Sequence, residues 1–147
     1  MPGKTAFFDT SAIVPLCIVQ ETSQRARQLY RRFTKQVVAW TTLIEATGAI
    51  HRAIGSGGVT HANAKRGLDR LNQLEGRWTE LAADAWVRDT ALDLLRTHDL
   101  RAGDAIQLAS ALVWCKEKAR HRSFVCFDRK LLAAAESAGF DVIADAE

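Results

Sequence analysis

Short runs of β-branched, aromatic and small apolar residues recur along this chain, separated by stretches whose apolar residues return every three or four positions. The runs are Thr5-Ala6-Phe7-Phe8, Val37-Val38-Ala39-Trp40, Ser123-Phe124-Val125-Cys126-Phe127 and Asp141-Val142-Ile143, with Arg77-Trp78-Thr79-Glu80-Leu81 as a less apolar fifth. Most are apolar throughout rather than alternating, which is the pattern of strands covered on both faces. Strands alternating with helices imply a parallel sheet with helices packed on each side. The expected fold class is therefore α/β: an α/β/α sandwich around a central, mostly parallel, five-stranded sheet.

The intervening helices can be read from their stripes. Ala26, Leu29, Tyr30 and Phe33 mark one, capped by Thr22 or Ser23, with Arg25, Arg27, Arg31, Arg32 and Lys35 on its outer face. A second, capped by Thr41 or Thr42, runs apolar from Ala46 to Ile54 and ends at Gly55-Ser56-Gly57-Gly58, a flexible loop. Ala64, Leu68, Leu71 and Leu74 form a stripe that suits packing on the domain, on a second copy or on a partner. Val87, Ala91, Leu94 and Leu95 mark the next helix, and Leu131, Leu132 and Ala135 the last, with Gly139 as its C′ residue. Pro15 argues for a short helical or irregular turn after the first strand. The stretch from Arg101 to Val113 is apolar on most sides, so its helix belongs in the core, yet Asp104 stands in its first turn.

With 147 residues, 48% of them hydrophobic, the chain suits one domain spanning 1–147. The apolar run after Met1-Pro2-Gly3-Lys4-Thr5 is too short for a signal peptide, and no stretch is long enough to span a bilayer. Cys17, Cys115 and Cys126 are odd in number, widely spaced and set among apolar residues, which suits buried thiols in a reducing compartment. A cytoplasmic protein without disulfides, Cys-based zinc or membrane association is expected. His51, His61, His98 and His121 show no ligand spacing.

Four acids share one address. Asp9 and Asp128 stand just beyond strands, and Glu45 and Asp104 stand in first helical turns. Each has an ordinary structural explanation. Asp104 complements the partial positive charge of a helix N-terminus, and Glu45, three residues after Thr42, has capping-box spacing. Together, however, they fall on the rim where parallel sheets place their sites. Two carboxylates about 4 Å apart repel by roughly 4 kcal/mol at an effective dielectric near ~20, so such a cluster is costly unless a cation occupies it. All-oxygen coordination suits Mg²⁺ or Mn²⁺ rather than zinc. The chemistry expected is metal-assisted hydrolysis by an activated water, with Ser11 and Thr42 as auxiliary hydroxyls or as helix caps. Net charge is +3; with those four acids set aside, the remaining surface carries a basic surplus of about seven, which suits an anionic substrate.

The elements Phe8-Asp9-Thr10-Ser11-Ala12, Thr42-Leu43-Ile44-Glu45, Leu100 to Ala109 and Phe127-Asp128-Arg129-Lys130-Leu131 resemble the acidic signature of PIN-domain ribonucleases, specifically VapC-like toxins of bacterial toxin–antitoxin pairs. The resemblance runs from the first strand to the last helix. It implies a PIN-like sandwich, Mg²⁺- or Mn²⁺-dependent cleavage of RNA, a homodimer, and a VapB-like antitoxin that occludes the site. By position it makes Asp9, Glu45, Asp104 and Asp128 the metal-binding acids, Asp128 directly or through water, with Ser11 or Thr42 assisting. Gln107 stands where related toxins often carry histidine, and no role is assigned to it.

A haloacid-dehalogenase-like phosphatase would need a second acid two residues after the first, where this chain has Ser11. A phosphoacceptor receiver would need paired acids ending the first strand. The competing reading of a different class is a PIN-fold RNA-binding or scaffold protein with little or no catalysis.

Overall fold

A computed structural model describes residues 4–144. The outermost residues of the expected 1–147 domain, Met1-Pro2-Gly3 included, lie outside the described residues. Five strands, β1 (Thr5–Phe8), β2 (Lys35–Ala39), β3 (Thr79–Leu81), β4 (Ser123–Val125) and β5 (Asp141–Ile143), form one sheet in the order β3-β2-β1-β4-β5. Every pairing is parallel, so the sheet is more uniform than the mostly parallel one expected.

Among the described residues, seven helices cover it: α1 (Thr10–Cys17), α2 (Ser23–Arg32), α3 (Thr42–Gly55), α4 (His61–Glu75), α5 (Ala85–Thr97), α6 (Ala102–Trp114) and α7 (Arg129–Ser137). The first four share one core with Ala6, Phe8, Val38 and Val125, and the last three share the other with Phe7, Val37, Ala39 and Phe124. Neighbouring residues of β1 thus point into opposite cores. Phe8 meets Phe33 edge-on at 6.3 Å, while Phe7 stacks on Phe124 at 5.3 Å. Residue-by-residue alternation between two apolar layers explains why β1 reads as continuously apolar.

Several expectations shift at element edges. β2 begins at Lys35 and ends before Trp40, which leaves the sheet and is 48% exposed. β4 stops at Val125, so Cys126 and Phe127 belong to the turn before Asp128. Pro15 sits inside α1, buried in its second turn, and does not break it. The spacing of Thr42 and Glu45 does not form a capping box: Thr41 is the N-cap residue and makes no side-chain capping bond, while the Glu45 carboxylate turns toward α1 and α6. Thr22 and Ser23 likewise do not cap α2 through a side chain. The Ser23 hydroxyl accepts from Gln20 N at 2.8 Å and donates to the Ile18 carbonyl. Gly139, at φ +106°, is the expected left-handed residue after α7.

The α4 stripe faces inward: Ala64, Leu71 and Leu74 are buried in the core with α1 and α3. Gly67 lets α4 and α1 approach so closely that a Cβ there would lie 2.8 Å from the Cys17 carbonyl oxygen and 2.9 Å from Ile18 Cγ2. Among the described residues, no helix is long and apolar enough to cross a membrane.

In a helix interior, replacing glycine by alanine ordinarily stabilises by roughly 0.5–1 kcal/mol. At Gly67 the backbone contact outweighs that gain, and Gly67→Ala is expected to destabilise by roughly 1–3 kcal/mol through overpacking. Gly55→Ala, whose Cβ meets nothing within 4 Å, is expected to be neutral or mildly stabilising. Urea denaturation of the two variants checks the opposite signs.

Candidate active site

The chain leaves β1 toward β2 on one side, and returns later to place β4 on the other side of β1. The connections after β1 and β4 therefore part to opposite layers, and a crevice opens outside the carboxyl ends of these two strands. Asp9 follows β1 directly, and its N–H still bonds the Val125 carbonyl of β4 at 3.0 Å. Asp128 comes three residues after β4, as the N-cap of α7.

Three of the four acids are pinned by one carboxylate oxygen. Asp9 Oδ2 accepts from Ser11 N at 3.0 Å, capping α1, and Asp128 Oδ1 accepts from Leu131 N at 3.0 Å. Glu45 Oε1 accepts from the Thr10 hydroxyl at 2.5 Å and from Gln107 Nε2 at 2.8 Å. Among the described residues, the second oxygen of each makes no hydrogen bond. Asp104, half-buried in the first turn of α6, uses neither.

Electrostatics shows that these acids feel one another. Asp9 is 4% exposed, and burial is the main cause that lifts its carboxyl from 3.8 to about 6; Glu45 and Asp104 add repulsion, while bonds from Ser11 oppose the shift. Asp104 is also raised, first by burial and then by Asp128 and Glu45, against the pull of Arg101. Its ionised form is thus penalised, although a helix N-terminus alone would favour it.

Asp9 lies within electrostatic reach of Glu45 and Asp104, and Asp104 within reach of Asp128 and Glu45. Ser11 acts as a tie: its Oγ accepts from Phe127 N at 2.9 Å and lies 3.7 Å from Cys126 Sγ, joining the turns that carry Asp9 and Asp128. Thr42 is fully buried, and its Oγ1 accepts from Gln107 Nε2 at 3.1 Å. Asp99 stands apart, in an exposed pair with Lys130 at 3.0 Å.

Sequence reasoning did not single out Thr10, left Gln107 without a role, and treated Cys126 only as a buried thiol. Cys126 Sγ lies 3.7 Å from Asp9 Oδ2 and 3.3 Å from Asp128 N, and burial followed by Asp9's charge pushes the thiol far above its usual range. It is packing against the acids, not a nucleophile. Thr10 directly follows a strand-end acid, which was its only signal. Gln107, an amide in the apolar run of α6, was the clearer one.

Among the described residues, no three Cys, His, Asp or Glu side chains converge into a finished metal cage. The donor chemistry nevertheless fits a hard divalent cation: four carboxylates, each with an uncommitted oxygen, and no imidazole among them. Beside Asp104 and Asp128 opens a cleft of about 680 Å³, whose walls carry Arg101, Arg129 and Lys130.

Because the Asp9 pKa is higher folded than unfolded, the native state binds more protons between about pH 4 and pH 6, and stability falls as pH rises through that window. A displacement of about two pH units corresponds to on the order of 3 kcal/mol. In metal-free buffer, the stability of Asp9→Asn relative to the unsubstituted protein should therefore grow by about 2–3 kcal/mol from pH 4 to pH 7. Urea midpoints at the two pH values measure it, and a constant difference would show that Asp9 does not titrate there.

The PIN domain family model matches residues 6–137. No curated protein matches the chain significantly. Among solved structures, it is similar to a chain of a toxin–antitoxin complex from Klebsiella pneumoniae at 17% identity, covering 97% of this chain and 98% of that one with a TM-score of 0.66. It is similar to PAE2754 from Pyrobaculum aerophilum at 20% identity, covering 97% and 89% with a TM-score of 0.62. It is also similar to FitAcB from Neisseria gonorrhoeae at 16% identity, covering 92% and 96% with a TM-score of 0.64. At these identities the structural likenesses speak for the fold, whereas the family model spans most of the sequence, and the chain belongs to the PIN-domain family, a family of nucleases.

Proposed function

We propose that this protein is a metal-dependent endoribonuclease, a single domain that acts as the toxin of a toxin–antitoxin pair. The observation that carries the reading is the gathering of acids at the β1/β4 crevice of a PIN-domain chain, where Asp9 meets the charges of Glu45 and Asp104, and Asp104 meets those of Glu45 and Asp128. In this reading these four carboxylates hold Mg²⁺ or Mn²⁺, and the metal supplies an activated water and charge stabilisation at the phosphate. The chain's own groups do the rest. Ser11 fixes the turns bearing Asp9 and Asp128, Thr42 helps hold Gln107, and Arg101 and Arg129 offer cations to RNA phosphates in the cleft beside Asp104.

Support for an antitoxin partner comes from the Klebsiella pneumoniae neighbour, which is a toxin–antitoxin complex. The homodimer expected from the resemblance is assigned to the α5–α6 face. There Trp40, Leu92 and Leu95, 48%, 53% and 39% exposed, border an apolar groove of about 320 Å³ between α5, α6 and the start of α3. Ile44 adds another exposed apolar side chain on α3.

Two measurements test these assignments. Brief incubation with total RNA and Mn²⁺, followed by mapping of the new ends, should show discrete cleavage that falls more than about 100-fold in Asp9→Asn and Asp104→Asn, beyond the loss usual for groups that only support a ligand. Because the stability of Asp9→Asn relative to the unsubstituted protein is expected to grow up to about pH 6, urea midpoints measured above that pH alongside cleavage separate loss of activity from unfolding. Equal cleavage by the variants would overturn the site, and no cleavage by the unsubstituted protein would favour an RNA-binding or scaffold role. Separately, the Leu92→Glu/Leu95→Glu double variant should sediment as a monomer; an unchanged dimer would place the interface elsewhere.

A further inference from the structure

We propose that Gln107 is a positioning residue: as a neutral N–H donor it sets the direction in which Glu45 presents its free oxygen. The inference rests on the nuclease reading, which gives that oxygen a metal to meet. Gln107 is 1% exposed and lies one turn along α6 from Asp104. Its Nε2 stands 2.8 Å from Glu45 Oε1, 3.1 Å from Thr10 Oγ1 and 3.1 Å from Thr42 Oγ1. An amide nitrogen has two hydrogens, so one goes to the carboxylate, the strongest acceptor, and the hydroxyls share the other. The flipped amide would set two oxygens against each other at that separation, so the chemistry selects this orientation.

Thr10 closes a ring, accepting from Gln107 and donating to the same Glu45 oxygen at 2.5 Å. With Oε1 held by two donors, Oε2 is turned against the start of α6, where a Cβ on Gly103 would lie 3.3 Å from it. Gly103 leaves room for that oxygen directly beside Asp104. The clamp therefore joins the β1–α1 turn, α3 and α6, and directs one Glu45 oxygen to the rim.

A second observation separates positioning from packing. Gln107 Oε1 is buried and has no hydrogen-bond partner among the described residues. An unpaired buried carbonyl is destabilising, and an apolar side chain of similar volume would remove it. Core stability alone does not explain an amide here; its nitrogen, with three acceptors around it, does.

The test compares the unsubstituted protein, Gln107→Leu, Gln107→His, Glu45→Gln and the Gln107→Leu/Glu45→Gln double variant by calorimetric Mn²⁺ titration and by RNA cleavage kinetics. Gln107→Leu should bind Mn²⁺ about 10- to 100-fold more weakly and lose kcat by a similar factor, with KM for RNA within about twofold. Gln107→His, which retains a ring N–H, should recover part of both. In the Glu45→Gln background Gln107→Leu should add nothing, because it acts through Glu45. A packing role gives the reverse order, with leucine at or above the unsubstituted protein and the bulkier histidine lowest, and overturns the proposal. If Gln107→Leu does not fold, Thr10→Val removes the other donor to Glu45 Oε1 and carries the same expectation. Unsubstituted protein that binds Mn²⁺ and cuts RNA, with Gln107→Leu equal to it, overturns only the role of Gln107. Unsubstituted protein that does neither overturns the nuclease reading and this role with it.

Discussion

Two parallel strands that end side by side, with their onward connections parting to opposite faces, create the crevice on which the rest of this structure depends. β1 and β4 are those strands, and Asp9 N–H bonded to the Val125 carbonyl continues their ladder to the lip of the crevice. Phe7 and Phe8 anchor β1 in both cores, so the backbone that bears Asp9 has little freedom to retreat from its neighbours. Like charges are gathered by a rigid scaffold and cannot relax by moving apart. Burial first, and the neighbouring carboxylates second, displace Asp9 and Asp104 upward.

Hydrogen bonds make that arrangement tolerable while leaving one oxygen of Asp9, Glu45 and Asp128 without a partner among the described residues. Asp9 and Asp128 each satisfy a backbone amide of the helix they precede, so they cap α1 and α7 and also present an oxygen to the rim. For these two acids, helix capping and a place in the site are compatible, because a carboxylate has two oxygens and a cap uses one. Glu45 differs. Its fixed oxygen is held from other elements, by Thr10 and Gln107, and its position reports tertiary packing rather than local helix chemistry. Asp104 lacks a cap bond and depends on the immobility of α6, whose residues from Ala105 to Ala111 are almost all buried.

Charge and apolar surface are distributed on different sides of this centre. Arg101, Arg129 and Lys130 line the cleft that reaches Asp104 and Asp128. Four of the exposed apolar side chains, Trp40, Ile44, Leu92 and Leu95, instead lie on α5, α3 and the turn before α3, while Val19 is exposed beyond α1. Polar and apolar contacts are thereby separated, so one face can meet an anion while another is covered by protein.

Much of this was legible in the order of residues. Apolar runs alternating with helical stripes gave five strands and a mostly parallel sheet, and the acids just beyond two strands and in two first helical turns pointed to one rim, because periodicity and strand-end position are local properties of the chain. Three matters were decided only in three dimensions. The α4 stripe fits the domain, a second copy or a partner equally well in sequence, and the close approach at Gly67 puts it inside. The interval from Thr42 to Glu45 matches a local cap, yet the stronger competitors for that carboxylate come from Thr10, 35 positions earlier, and Gln107, 62 positions later. Gln107 itself reads as one polar residue in an apolar helix. Its meaning arises when folding removes water from its nitrogen and leaves a carboxylate and two hydroxyls as the available acceptors, a constraint that no local pattern contains.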